Sequence, residues 1–162
     1  MRKNREKEII QVSAKDFRTE QILRIALLLE FIVAIFVIID VIADMKWSVS
    51  DNKGLCMIII VLAVVGIFCV IGLLYIRHII KIVQPWQKIK REITGVALGS
   101  ALNLVSFILV IFMPHSAEGT QQTTIDIIMI ICLALAATLY QYGVDSIRSK
   151  FDFEIDNQQV WK

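Results

Sequence analysis

Residues 55–76, LCMIIIVLAVVGIFCVIGLLYI, carry no charged side chain. A hydrocarbon core of roughly 30 Å is crossed by about 20 apolar residues in a helix, and a helix lets one segment bond all of its own backbone polar groups in lipid. A buried helix of a soluble bundle keeps a face for water. This stretch has none. Working outward, three further stretches have span length: 25–43, apolar except for Glu30 and Asp40; 93–113, interrupted only by Thr94, Ser100, Asn103 and Ser106; and 125–144, with Asp126 near one end and Thr138 and Gln141 near the other. The expected fold is an all-α integral membrane protein, a four-transmembrane-helix bundle. Its divisions are a basic N-terminal segment (1–24), a transmembrane domain (25–144) and a tail (145–162).

Orientation follows from where Lys and Arg fall. Seven lie before residue 25, five in 77–92 and three in the tail, against Lys46 and Lys53 in the first outer connection and none in 114–124. Fifteen against two predicts that both termini and the middle connection are cytoplasmic. The net charge of +2 conceals this partition. The first 24 residues are charged throughout, so the first span is expected to act as the signal-anchor rather than a cleaved leader. The outer connections, about 44–54 and 114–124, are too short to fold alone, which argues against a large extracellular module.

The middle connection carries more than a turn. Ile76, Ile79, Ile80 and Val83 recur at helical spacing, predicting that the second helix continues to about Val83. Pro85 disfavours helix at Gln84. Trp86, Lys88, Lys90 and Arg91 then form a set that could meet anionic headgroups, about 1 kcal/mol for each basic residue; alternatively these charges only set topology.

Chemistry-bearing sets are sparse. The three cysteines, Cys56, Cys69 and Cys132, form no C-x-x-C pair and read as small apolar residues. His78 and His115 fall on opposite sides of the membrane, and neither has a second ligand at metal spacing. Ser100 and Ser106 have no nearby histidine to activate them. No enzyme activity, cofactor, metal or nucleic-acid partner is expected.

The sharpest clue is acidic. Glu30, Asp40 and Asp44 fall within about 80° of arc on the first helix. A carboxylate facing lipid at mid-span costs about 2.5–3.5 kcal/mol, so such groups turn toward the bundle. Alternating helix directions bring the depth of Glu30 near Ser100 and Asn103 on the third span and Thr138 and Gln141 on the fourth. These five residues are the expected intramembrane polar cluster. It reads either as a structural hydrogen-bonded glutamate, as half of an ion pair with a partner protein, or as a proton- or ion-responsive site.

Gly95 and Gly99 form a G-x-x-x-G pair whose face Asn103 and Ser106 extend. Small residues let helix backbones approach where lipid supplies no hydrophobic drive, and packing within the bundle is the expected use. Ala63, Gly66, Ala134, Ala137 and Thr138 are candidate complementary surfaces. In the tail, Phe151 to Asp156 alternates apolar and acidic residues, the pattern of an edge strand or a docking peptide; the other reading is a disordered tail.

In its arrangement of spans the chain resembles small tetraspan proteins with both ends inside, MARVEL-type proteins among them. Its outer connections lack the paired cysteines of claudin-like and tetraspanin-like proteins. The expectation is a multi-pass integral membrane protein, non-catalytic, serving as an accessory subunit or scaffold through other membrane proteins or self-association. The alternative is a small oligomeric transporter, channel or ion-responsive protein built around Glu30. An enzyme acting on lipid ranks third, for want of polar residues clustered at one interface.

Overall fold

The computed structural model describes residues 7–42, 52–112 and 120–156. It is mainly helical. The elements run β1 (Glu8–Val12), α1 (Ala14–Ile42), α2 (Asn52–Ile82), a 3-10 turn (Trp86–Ile89), α3 (Lys90–Phe112), α4 (Thr120–Lys150) and β2 (Phe151–Ile155). At 1.5 Å per residue α1 is about 43 Å long. The ten Cα steps from its end to α2 reach at most about 36 Å. That is too short to return to the starting end, so the chain goes up and down.

Each helix starts and stops for a local reason. At the head of α1, the Ser13 hydroxyl accepts from the Asp16 backbone N–H at 3.1 Å and donates to the Asp16 carboxylate at 2.8 Å. The hydroxyl thereby takes up one backbone donor that the first turn leaves unpaired. Asp16 also meets Lys81 at 3.0 Å, and its carbonyl lies 3.0 Å from His78 Nε2, which fastens the start of α1 to the last turns of α2. Helix α2 ends at Ile82, one residue before the expected Val83 and three before Pro85. Pro85 has no N–H and disfavours helix before it.

The helices form a ring in which α1 packs on α2, α2 on α3, α3 on α4 and α4 back on α1, with α3 and α4 the most extensively joined pair. Tyr75, Ile79, Val96, Tyr140, Val144 and Ile147 are central to the core, which Val12, Phe151 and Phe153 close at the end carrying the chain termini. Among the described residues three helical stretches are long and apolar enough to cross a membrane: Leu62–Ile82, Trp86–Leu109 and Ile127–Lys150. Outward positions are crowded with large apolar side chains, among them Ile67, Val70, Leu73, Leu98, Leu104, Ile131 and Leu135. Water-soluble proteins scatter such side chains singly over their surfaces.

One feature extends the expected first helix and one departs from the all-α expectation. Residues 14–24, read as part of an N-terminal segment, belong to α1. The tail strand β2 pairs in parallel with β1, from Glu8 opposite Phe151 to Val12 opposite Ile155. Phe151 and Phe153 are buried while Asp152 and Glu154 are exposed. The alternation in the tail is thus a half-buried strand, and its partner is a segment about 140 residues earlier.

Candidate functional site

Glu30 and Asn103 meet across the diagonal of the ring. Glu30 is 3% exposed and Asn103 wholly buried, and Asn103 Nδ2 donates to Glu30 Oε1 at 2.6 Å. Tyr140, from α4, brings its hydroxyl to 3.4 Å from Asn103 Nδ2, 2.9 Å from Ser100 Oγ and 3.3 Å from the Phe68 carbonyl. One hydroxyl carries one proton. Tyr140 donates to Phe68 while it accepts from Asn103, and the single Ser100 proton goes either to Tyr140 or to the Val96 carbonyl 3.2 Å away. All four helices therefore contribute a polar group to one buried knot.

The knot is closely packed. A Cβ on Gly72 of α2 would meet Ser100 Oγ and the Tyr140 hydroxyl, the latter at 2.7 Å. On the other side of the pair, a Cβ on Gly99 would lie 2.9 Å from the Tyr140 ring and 3.1 Å from the Ala136 carbonyl. These glycines let α2 and α3 close on Tyr140. Two acceptors nevertheless stay unmatched: Glu30 Oε2 and Asn103 Oδ1 are buried without a hydrogen-bond partner.

The structure divides the expected five-residue cluster. Glu30, Ser100 and Asn103 come together, but Thr138 and Gln141 are exposed on the outer face of α4, where the Thr138 hydroxyl donates to the Ala134 carbonyl of its own helix at 2.7 Å. Depth alone selected them, and depth does not fix azimuth. The inward face of α4 is Ala136, Ala137, Tyr140, Gly143 and Val144, and Tyr140 is the member that the sequence reading missed. Its signal was that helical spacing among small neighbours. Asp44 lies outside the described residues, as do the side chains of Asp40 and Cys56. Cys69 and Cys132 are free thiols.

Gly95 and Gly99 both face α4, with a Gly95 Cβ position 3.6 Å from the Tyr142 ring, and Gly143 answers from the opposite side, its Cβ position 2.6 Å from Val96 Cγ2 and 3.1 Å from the Glu92 carbonyl. Ser106 is buried and bonds the Leu102 carbonyl of its own turn. Among the surfaces suggested as complements, Ala137 is buried and Gly66 faces Phe107 across α2 and α3, whereas Ala63 and Thr138 are exposed.

A second polar layer lies nearer the termini. Glu92, 2% exposed, accepts from Lys150 at 2.7 Å and from Ser146 at 3.1 Å. Lys88 pairs with Glu8 at 2.7 Å. Trp86, Lys90 and Arg91 are exposed, with the Arg91 guanidinium 5.8 Å from the centre of the Tyr142 ring. Between α1 and α2, Glu20 is fully buried 3.9 Å from Arg24 Nε, and both its oxygens and the Tyr75 hydroxyl lack hydrogen-bond partners. Burial pushes the Glu20 carboxyl above the ordinary glutamate range, against the pull of Arg24, Arg148 and His78.

Among the described residues no group of three His, Cys, Asp or Glu is placed to hold a metal ion. Compared with known proteins, the chain matches no family model, no curated protein and no solved structure.

Proposed function

We propose that the chain is a tetraspan membrane protein with both termini in the cytoplasm, acting as a non-catalytic accessory subunit or scaffold for another integral membrane protein. A fourth span at α1 is supported by its outward face, where Ile25, Leu29, Phe31, Ile32, Ile35, Phe36 and Ile39 are 42–65% exposed. Those side chains need lipid, and the inward Glu30 is already bonded. Pairing of β1 with β2 supports placing both termini on one side, and the excess of Lys and Arg there supports the cytoplasmic side.

The observation that carries the subunit reading is a polar stripe on the outside of α4. Thr138, Gln141, Asp145 and Ser149 recur at steps of three and four residues and all four are exposed. With Tyr142 and Ser146 they line an open groove of about 450 Å³. The Thr138 hydroxyl is taken up by its own helix and Asp145 and Ser149 lie beyond the expected span (125–144), so the Gln141 amide is the outward group that a neighbouring helix would satisfy. The test is co-purification in mild detergent. A stoichiometric foreign membrane protein should be recovered with the wild-type chain and lost from Thr138→Val/Gln141→Leu at unchanged folded yield. Recovery indifferent to the double substitution, or a chain purified without a foreign partner, would sink this reading.

A second reading, an ion- or proton-responsive protein, rests on the unmatched Glu30 Oε2 and Asn103 Oδ1. Its signature is ion flux in liposomes that disappears in Glu30→Gln. The subunit reading expects no flux between about pH 5 and 8, a window wide enough for a carboxyl in a protein interior.

A further inference from the structure

The groove between the terminal ends of α3 and α4 is graded from charge to hydrocarbon. Its volume is about 570 Å³. Lys88, Lys90, Arg91, Glu92 and Lys150 line it near the end of the helices, and Gly95, Leu98 and Leu139 line it further along them. Lys90 to Leu98 is eight residues along α3, about 12 Å of rise, close to the distance from a phosphate to the upper part of an acyl chain.

The basic groups at that end are unequally engaged. Lys88 is paired with Glu8 and Lys150 with Glu92, whereas neither Lys90 nor Arg91 has an ion pair among the described residues. Arg91 lies over the Tyr142 ring, an attractive contact that positions the guanidinium without neutralising it. Further along, Gly95 contributes no side chain and Leu98 is 53% exposed, leaving an apolar channel open to the outside.

We propose that this groove binds one anionic phospholipid, with the phosphate between Lys90 and Arg91 and one acyl chain along Gly95, Leu98 and Leu139. The charge selects an anion. The apolar floor selects an amphiphile over a soluble phosphate or an acidic peptide, neither of which has a hydrocarbon tail to cover Leu98. The proposal rests on the membrane reading above, and it goes beyond it by assigning a discrete site.

Native mass spectrometry of the purified full chain, loaded with phosphatidylglycerol or with phosphatidylcholine of the same acyl chains, tests the assignment. One phosphatidylglycerol should be retained per chain at least tenfold more tightly than phosphatidylcholine. Lys90→Gln/Arg91→Gln should weaken it about 30-fold, from about 1 kcal/mol for each basic residue, and Leu98→Ser should weaken both lipids severalfold. Lys15→Gln/Arg18→Gln removes the same charge from the start of α1 and should leave retention unchanged. All these side chains are exposed or surface-facing, so folding is preserved, which circular dichroism checks. Equal loss in the two charge pairs would mean diffuse attraction and overturn the site. Displacement by millimolar glycerol phosphate would mean a soluble-anion site and overturn the lipid. Either failure leaves partner co-purification intact, so it is distinguishable from failure of the subunit reading.

Discussion

Glu20 and Glu30 are ten residues apart on the inward face of α1, both buried, and they are held differently. Glu30 is bonded by Asn103, whereas Glu20 has no hydrogen bond among the described residues and lies 3.9 Å from Arg24, with Arg148 and His78 also drawing on its charge. Burial raises the Glu20 pKa above its ordinary 4.5. The fold therefore prefers the neutral acid. Its stabilising contribution is complete below about pH 4.5 and is lost as pH rises through the raised folded value. Glu20→Gln holds the neutral form at every pH, so its thermal midpoint should exceed that of the wild type by a few degrees at pH 7 and match it near pH 4. A midpoint lower at pH 7 would show that the contact with Arg24 outweighs desolvation. For Glu30, Glu30→Gln should keep the bond and the assembly, while Glu30→Leu leaves Asn103 without its partner and should cost about 1–3 kcal/mol in unfolding experiments. Equal stability of the two variants would mean that the bond contributes little. The Glu30–Asn103 pairing was legible in the sequence because a lone mid-span acid must turn inward and depth narrows its partners. Tyr140 was not legible: a tyrosine in an apolar run suits either lipid interface or core, and only the azimuth of α4 decides.

At the scale of elements, the G-x-x-x-G face of α3 was readable because close packing in lipid demands small side chains. What it packs against was not. The complement is Tyr140 with Gly143, a large side chain seated over one glycine and a second glycine on the opposing helix. Gly99→Ala should therefore destabilise by about 1–3 kcal/mol, since the Cβ must displace a ring and a backbone carbonyl. Gly66→Ala, whose Cβ position is 3.6 Å from Phe107, should be neutral or slightly stabilising through helix propensity. Equal effects in thermal unfolding would contradict this account of the interface. The strand pair marks the other limit of sequence reading. The alternation of β2 is local, but a parallel partner about 140 residues away leaves no trace in either segment, and EIIQV alone reads as part of a charged tail. Phe153→Ala should cost about 3–5 kcal/mol, because the ring is 4% exposed in the core. Ile155→Ala, at 40% exposure, should cost much less. Hydrogen exchange should show 8–12 losing protection with 151–155 in the first variant.

For the whole molecule, the even number of passes proposed above agrees with the paired terminal strands, and the proposed orientation rests on the distribution of charge. The two outer connections contain two basic residues between them and the terminal end contains fifteen. Translocating that end would carry the charges against the positive-inside bias, so the reverse orientation is disfavoured however tightly the bundle packs. Single cysteines at Ser50 and Ser116, in a background lacking Cys56, Cys69 and Cys132, should react with an impermeant thiol reagent applied to intact cells. Cysteines at Gln87 and Ser149, both exposed on the bundle, should react only after lysis. Labelling of a cysteine placed at Lys7, before α1, in intact cells together with Ser50 and Ser116 would mean that α1 does not cross. The Glu30 knot would then be held by a helix outside the bilayer, and the lipid-facing reading of Phe31 and Phe36 would fail with it. Labelling of Gln87 and Ser149 in intact cells would invert the molecule and place the basic groove on the outer leaflet. The glycine contacts within the bundle would be unaffected, because they depend on helix packing and not on which side the termini face.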